Sequence, residues 1–200
     1  MKLDKKEVNK ELIIATTLRL IEENGGIKDV NLRGIAKEIG CAHTNLYNYF
    51  NSFDEIIWEA LGHILLKMID YVDARIASAA NDEERFYSAL EAILEFSLQH
   101  SGWYRLVWFE SIGGEPSQQT AQILISPTEG LNYLVIKASD SMLTEEKANR
   151  VANILHSYMH GEICKWISER GPTSSIEEIS REVLSTLKQL YKLLIKEEGK

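Results

Sequence analysis

This sequence is short of the features that mark several large functional classes. It has no excess of positive charge: 22 Lys and Arg stand against 30 Asp and Glu, a formal net charge of −8. Taken alone, that balance argues against a nucleic-acid binder, because such proteins neutralise phosphates with basic side chains. Residues 1–60 are also slightly acidic. Any affinity for DNA therefore has to come from local placement of Lys2, Lys5, Lys6, Lys10, Lys28, Arg33 and Lys37, helped by helix N-termini that face phosphates. Cysteine is scarce, with Cys41 and Cys164 far apart in sequence. That excludes a disulfide framework and leaves two thiols in a reducing compartment, either as small buried hydrophobes or as a redox sensor. Long apolar runs are missing too: Glu59, His63 and Lys67 interrupt the longest, and Met1–Glu7 alternates in charge. Both features predict a cytoplasmic chain with no membrane partner.

Catalytic signatures are equally absent. There is no Gly-x-Ser-x-Gly elbow, no phosphate-cradling glycine loop, no HExxH and no Glu-x-x-His pair of the kind a helical di-metal site needs. The sequence thus predicts no catalytic residues, no metal and no cofactor. Sustained alternation of period two is also lacking, and no internal repeat or low-complexity segment interrupts the chain.

What is present is helical periodicity almost throughout, so the chain is predicted to be all-α. A first helix is expected from about Lys6 to Asn24, stopped by Gly25-Gly26. Asn31 caps a second, whose Leu32, Ile35, Ala36 and Ile39 share one face. Gly40 ends it in the left-handed conformation that helix C-termini favour, and Gly40–Phe50 then supplies a third helix of about three turns. Helix, glycine turn, helix is the layout of a helix-turn-helix unit. Ser52-Phe53-Asp54-Glu55 is a capping box opening a long fourth helix to about Ala80. Helices are further expected over Asp82–His100 and Trp103–Ser111, from Ser126-Pro127 onward, from Thr144 to about Arg170, where Gly171-Pro172 stops it, and from Ser175 to about Lys196. Ile112–Ser126 is the least ordered stretch by composition.

Residues 10–60 resemble the DNA-binding domain of the TetR family of transcriptional regulators. The resemblance is carried by Ile35-Ala36, Gly40-Cys41-Ala42, Leu46-Tyr47-Asn48-Tyr49-Phe50 and Ser52. It implies an N-terminal three-helix helix-turn-helix domain, 1–52, and a helical ligand-binding and dimerisation domain, 53–200. Three positions depart from the family pattern. Ala42 replaces the usual capping hydroxyl, which should cost about 1 kcal/mol, and Asn51 and Phe53 stand where basic residues are common.

His43, Thr44 and Asn45 occupy the first turn of the reading helix and are the base-reading candidates; an amide, a methyl and an imidazole can each address a base edge. The resemblance implies phosphate contacts from Tyr47 and Asn48, and from Asn31 and Arg33 on the second helix. Aromatic side chains crowd the stretch Phe86–Phe109, which points to a core or to a ligand pocket. The family's effectors bind between these helices, so Phe86, Phe96, Trp103, Tyr104, Trp108 and Phe109 are effector candidates, with His156 and His160 as polar walls or core histidines. Arg105 and Glu110 offer either a grip on a charged effector or a surface ion pair. The last helix carries a broader apolar face than one neighbour needs, and the one before it offers Ala148, Ala152, Ser157 and Gly161. Together they predict a homodimer through the two C-terminal helices. The expected function is a DNA-binding regulator, a repressor released from a palindromic operator by a small apolar or aromatic effector. The alternatives are an adaptor of the same fold without strong DNA binding and, third, a helical metal-binding enzyme.

Overall fold

The N-terminal helix α1, Lys10–Asn24, starts where Asn9 can cap it: the Asn9 Oδ1 accepts the Leu12 N–H at 2.8 Å. It therefore begins later than the expected Lys6, which lies outside the described residues. The structure, a computed structural model, describes residues 8–140, 142–171 and 175–198. After α1 come α2 (Leu32–Ile39), a 3-10 segment (His43–Asn48), α3 (Phe53–Ile76), α4 (Asp82–Gln99), α5 (Ser101–Trp108), α6 (Gln118–Ala138), α7 (Glu145–Ile167) and α8 (Ile176–Glu198). Among the described residues there is no strand.

Two units emerge. The first comprises residues up to Leu66 together with His100–Leu124; the second comprises Lys67–Gln99 and the chain from Ile125 on. The expected boundary at 52/53 falls inside the first unit. The reason is packing: α5 lies on α1, and the stretch that follows it is stitched to α3. There, Trp58 Nε1 donates to the Gly113 carbonyl at 3.0 Å, while the Glu59 carboxylate accepts from Ser117 Oγ at 3.0 Å and Thr120 Oγ1 at 2.9 Å. Ile13, Ile21, Ile35, Leu46 and Ile57 are buried in this unit.

The start of α6 departs from expectation. Ser126-Pro127-Thr128-Glu129 does not open it; the helix begins at Gln118, with Ser117 Oγ accepting the Thr120 N–H at 3.1 Å, and Pro127 sits inside. Ser117 supplies the N-terminal cap well ahead of the proline, so part of the stretch expected to be least ordered is helical. Proline has no N–H, so it removes one bond of the ladder, a known cause of helix bending.

In the second unit α4, α7 and α8 pack together around Phe86, Leu90, Val151, Leu155, Leu187 and Tyr191. The Phe86 ring centroid stands 4.7 Å from that of Tyr191. Thr144 caps α7 as expected, and Ser175 and Glu178 exchange the reciprocal bonds of a capping box at 3.2 and 3.0 Å. Helix α7 stops at Ile167, short of Arg170, because the Arg170 and Gly171 N–H groups turn back to the Lys165 carbonyl, both at 3.1 Å. Pro172, expected to end it, lies outside the described residues. On α8, Ile179, Val183, Leu187 and Tyr191 form the buried stripe, whereas Leu193 is 62% exposed.

Candidate functional site

Gly40 turns the chain from α2 into the 3-10 segment. Its φ of 81° is left-handed, and its N–H reaches the Ala36 carbonyl at 2.9 Å. Ala42 then opens the segment with no side-chain cap, and the six residues wind as a 3-10 helix instead of the expected three α-turns. Without a capping hydroxyl, the free N–H groups are served by short bonds such as Asn45 N–H to the Ala42 carbonyl at 2.9 Å. Side chains three apart stand one above the other in such a helix. Leu46 and Phe50 are buried and anchor the segment. Thr44 above Tyr47 and Asn45 above Asn48 then form two parallel outward ridges, and all four residues are exposed, as is His43.

The surroundings hold this segment in place. Tyr49 donates its hydroxyl to the Val8 carbonyl at 2.6 Å, and the Lys10 ammonium lies 5.2 Å from the centre of the Phe50 ring. Asn31 Oδ1 accepts the Gly34 N–H at 3.0 Å, capping α2. Arg33 and Lys37 on α2 are exposed, as is Lys28. Arg19 is occupied, bridging Glu23 at 2.8 Å and Glu38 at 2.6 Å. Lys2, Lys5 and Lys6 lie outside the described residues. Cys41, a free thiol beside Gly40, is half-buried, as is Cys164, whose thiol burial pushes up.

Four of the aromatic effector candidates belong to this same unit. Trp103 donates Nε1–H to the Leu18 carbonyl of α1 at 2.8 Å and stacks on His100 with centroids 4.1 Å apart. Tyr104 is buried, with Trp108 and Phe109 at centroid distances of 6.4 and 6.2 Å. Helix α5 approaches α1 unusually closely at Gly102, where a Cβ would stand 2.6 Å from the Ile21 carbonyl oxygen and 2.9 Å from Glu22 Cα. The Glu22 carboxylate accepts the N–H of Trp103 at 3.3 Å, and burial holds it above the usual carboxylate range. Just beyond the other end of α5, Glu110 takes the Ile27 N–H on both oxygens, at 2.9 and 3.0 Å. Its work is thus structural, and it grips backbone where the sequence suggested an effector or an ion pair.

The other effector candidates lie in the second unit. Phe86 is fully buried against Tyr87 and Tyr191, and Phe96 is buried with its ring 5.7 Å from that of Tyr71. His156 and His160 stack on α7 with centroids 6.1 Å apart. Burial pushes both imidazoles below their ordinary value, and His160 adds to the shift of His156. Among the described residues no group of three or more His, Cys, Asp or Glu is placed to hold a metal ion.

A cavity of about 390 Å³ opens in this unit between α3, α4 and α6. Its walls are aliphatic: Met68, Ile69, Val72 and Ile76 from α3, Ile93 from α4, and Leu131 and Leu134 from α6. Asp73, Arg85, Ser126 and Tyr133 supply the polar lining. None of the eight expected effector residues lines it. The sequence signal that marks it is an aliphatic stripe near the end of α3 facing a helix that contains Pro127 and Gly130. Such a stripe is indistinguishable from ordinary core until the opposite wall is placed.

No family model matches the chain. The nucleoid occlusion factor SlmA of Haemophilus influenzae is 21% identical over 124 residues, 61% of this chain and 57% of that protein. The chain thus spans little more than half the length of that curated relative. The HTH-type transcriptional regulator BetI of Brucella anthropi is 22% identical over 152 residues, covering 76% of this chain and 77% of BetI. Among solved structures, a Rhodococcus sp. RHA1 protein of unknown function superposes with a TM-score of 0.78 at 15% identity, over 96% of this chain and 98% of its own. A tetR-family transcriptional regulator from Streptomyces coelicolor superposes at 0.70 and 13% identity, over 98% and 89%. The transcriptional regulator FadR of Bacillus subtilis, solved in complex with stearoyl-CoA, superposes at 0.67 and 15% identity, over 90% and 97%. No helix among the described residues is long and apolar enough to cross a membrane. These superpositions show that the chain shares its all-α fold with TetR-family transcriptional regulators.

Proposed function

We propose that the protein is a DNA-binding transcriptional regulator, a repressor whose helix-turn-helix reads a palindromic operator and whose hold on it is released by a small apolar effector. The observation that carries this reading is the pair of exposed polar ridges, Thr44 with Tyr47 and Asn45 with Asn48, mounted on buried Leu46 directly behind the glycine turn. His43, Thr44 and Asn45 address base edges, while Tyr47, Asn48, Arg33 and the Asn31 amide hold phosphates. The FadR of Bacillus subtilis that shares this fold was solved in complex with stearoyl-CoA, a ligand with a long apolar chain. In this chain the aliphatic cavity of the second unit is the matching place for an apolar molecule. Helices α3 and α6 each contribute residues to both units, which makes them the natural carriers of a change at the cavity.

The acidic balance sharpens the test. With few basic side chains near the ridges, binding to DNA taken from upstream of its own gene should be strongest at low ionic strength. A protein making about six phosphate contacts should lose about a thousandfold between about 50 and 200 mM salt, and fewer contacts should give a shallower slope. Fluorescence anisotropy across that range measures the slope. Absence of any salt-dependent binding would favour the adaptor reading, which the net charge of −8 supports.

The reading also requires a dimer, and α7 and α8 supply its surface. Gly161 lies within α7 with nothing within 4 Å of where a Cβ would be, so no contact within the protomer explains a residue that costs about 1 kcal/mol in a helix. Ile154 and Leu193 are exposed on the same two helices. Gly161→Leu is expected to leave the protomer folded and to shift sedimentation from dimer to monomer. A variant that remains dimeric would remove α7 from the interface.

A further inference from the structure

Granted that the cavity of the second unit is the effector site, we propose that its ligand is a cationic amphiphile. An apolar body would lie along α6 at Gly130, with an ammonium group seated on Asp73 at the rim.

The charge arrangement at the opening carries the assignment of the head group. Two charged side chains line the cavity, Arg85 and Asp73. The Arg85 guanidinium already faces a carboxylate, that of Asp82 one turn back, at 3.6 Å. Asp73 is exposed and has no ion-pair partner among the described residues. A carboxylate ligand would have to compete with Asp82 for Arg85, whereas an ammonium finds Asp73 unopposed. The Tyr133 ring also lines the cavity and is 57% exposed, but the Lys137 ammonium lies 5.6 Å from its centroid and competes for that π face, so the head-group preference rests on Asp73.

The body of the ligand follows from the wall opposite α3. Gly130 lines the cavity with nothing within 4 Å of the place a Cβ would take, and with no left-handed backbone to account for it. Neither crowding nor conformation demands glycine there, and glycine is unfavourable inside a helix. Its effect is to leave bare backbone facing free volume, between Leu131 and the Pro127 turn, where an apolar chain or ring can lie flat.

Three ten-carbon probes separate head from body: decyltrimethylammonium, decanol and decanoate, each titrated calorimetrically into the full chain below its micelle concentration. The cation is expected to bind about tenfold more tightly than the alcohol, the worth of roughly one charge contact at a half-exposed rim, and decanoate more weakly than either. Asp73→Asn should bring the cation down to the level of the alcohol without altering the alcohol. Gly130→Leu, which fills the wall and favours the helix, should weaken all three alike. Decanoate binding as tightly as the cation, or cation affinity untouched by Asp73→Asn, overturns the head-group assignment while alcohol binding that responds to Gly130→Leu keeps the cavity as a ligand site. Failure of every probe to show Gly130→Leu-sensitive binding overturns the cavity itself as that site, and the cationic ligand with it.

Discussion

Replacing His43 and Asn45 together by alanine is expected to remove sequence-selective DNA binding while leaving thermal stability unchanged. Each well-made base contact is worth about 1–3 kcal/mol of discrimination, so losing two should cost about a hundredfold or more at the preferred site. Both side chains are exposed, and surface changes of this kind usually move stability by no more than about 0.5 kcal/mol. Asn48→Ala, on the phosphate side of the ridge, should instead weaken all DNA sequences about equally. Selection of bound duplexes from a random pool, followed by anisotropy on the enriched sequence, distinguishes the two patterns. Should the double variant retain both affinity and selectivity, the exposed ridges would not be the reading surface. Leu46→Ala provides the contrast: it deletes a buried anchor and is expected to cost about 2–5 kcal/mol of stability.

Gly102→Ala should be among the most damaging single-methyl changes in the molecule. The added Cβ would stand 2.6 Å from the Ile21 carbonyl oxygen and 2.9 Å from Glu22 Cα, and both are backbone atoms of α1 that cannot swing aside. Relief requires lifting α5 away from α1. That would break the bond from Trp103 Nε1 to the Leu18 carbonyl and strip the half-buried Glu22 of its N–H donors. Overpacking together with lost buried hydrogen bonds amounts to about 3 kcal/mol. For a chain of this size, that is roughly 6–12 °C in melting temperature. A melt followed by circular dichroism gives the size of the effect, and tryptophan fluorescence reports whether Trp103 has left its place. Gly130→Ala is the matched control, because nothing lies within 4 Å of its Cβ position, it is not part of the proposed dimer surface, and helix propensity alone predicts a small gain.

Local signals in the sequence were legible in proportion to how completely they were served by their own neighbours. Asn31, Thr144 and Ser175 cap the helices they were expected to cap, because each bond closes within three residues. Gly40 likewise announced its turn. The start of α6 was misread for the same local reason. Ser126-Pro127-Thr128-Glu129 has the composition of a helix start, and nothing inside that tetrapeptide tells that Ser117 has already begun the helix. The aromatic stretch shows a second limit. Composition revealed that Trp103, Tyr104, Phe86 and Phe96 would be placed together with other large side chains, but not on which partner helix. Trp103 went to α1 because a carbonyl at Leu18 was available to its indole N–H, whereas Phe86 went to Tyr191. The cavity was invisible for the converse reason. An aliphatic stripe reads as core, and only the placement of α6, with glycine where a side chain would be expected, turns that stripe into a wall.

The composition of the first unit from two separate lengths of chain bears on how this protein could be re-engineered. A sensor built by fusing a new ligand domain after Leu66 would leave behind α5, and with it Trp103, Gly102 and the Glu110 grip on Ile27. The grafted reader would present the α1 surface normally covered by α5 to water, an invitation to aggregate. A transferable module has to carry residues up to Leu66 and His100–Leu124 together, so a chimera needs splice points inside α3 and α6 and another between α4 and α5, with helix phase preserved at the first two.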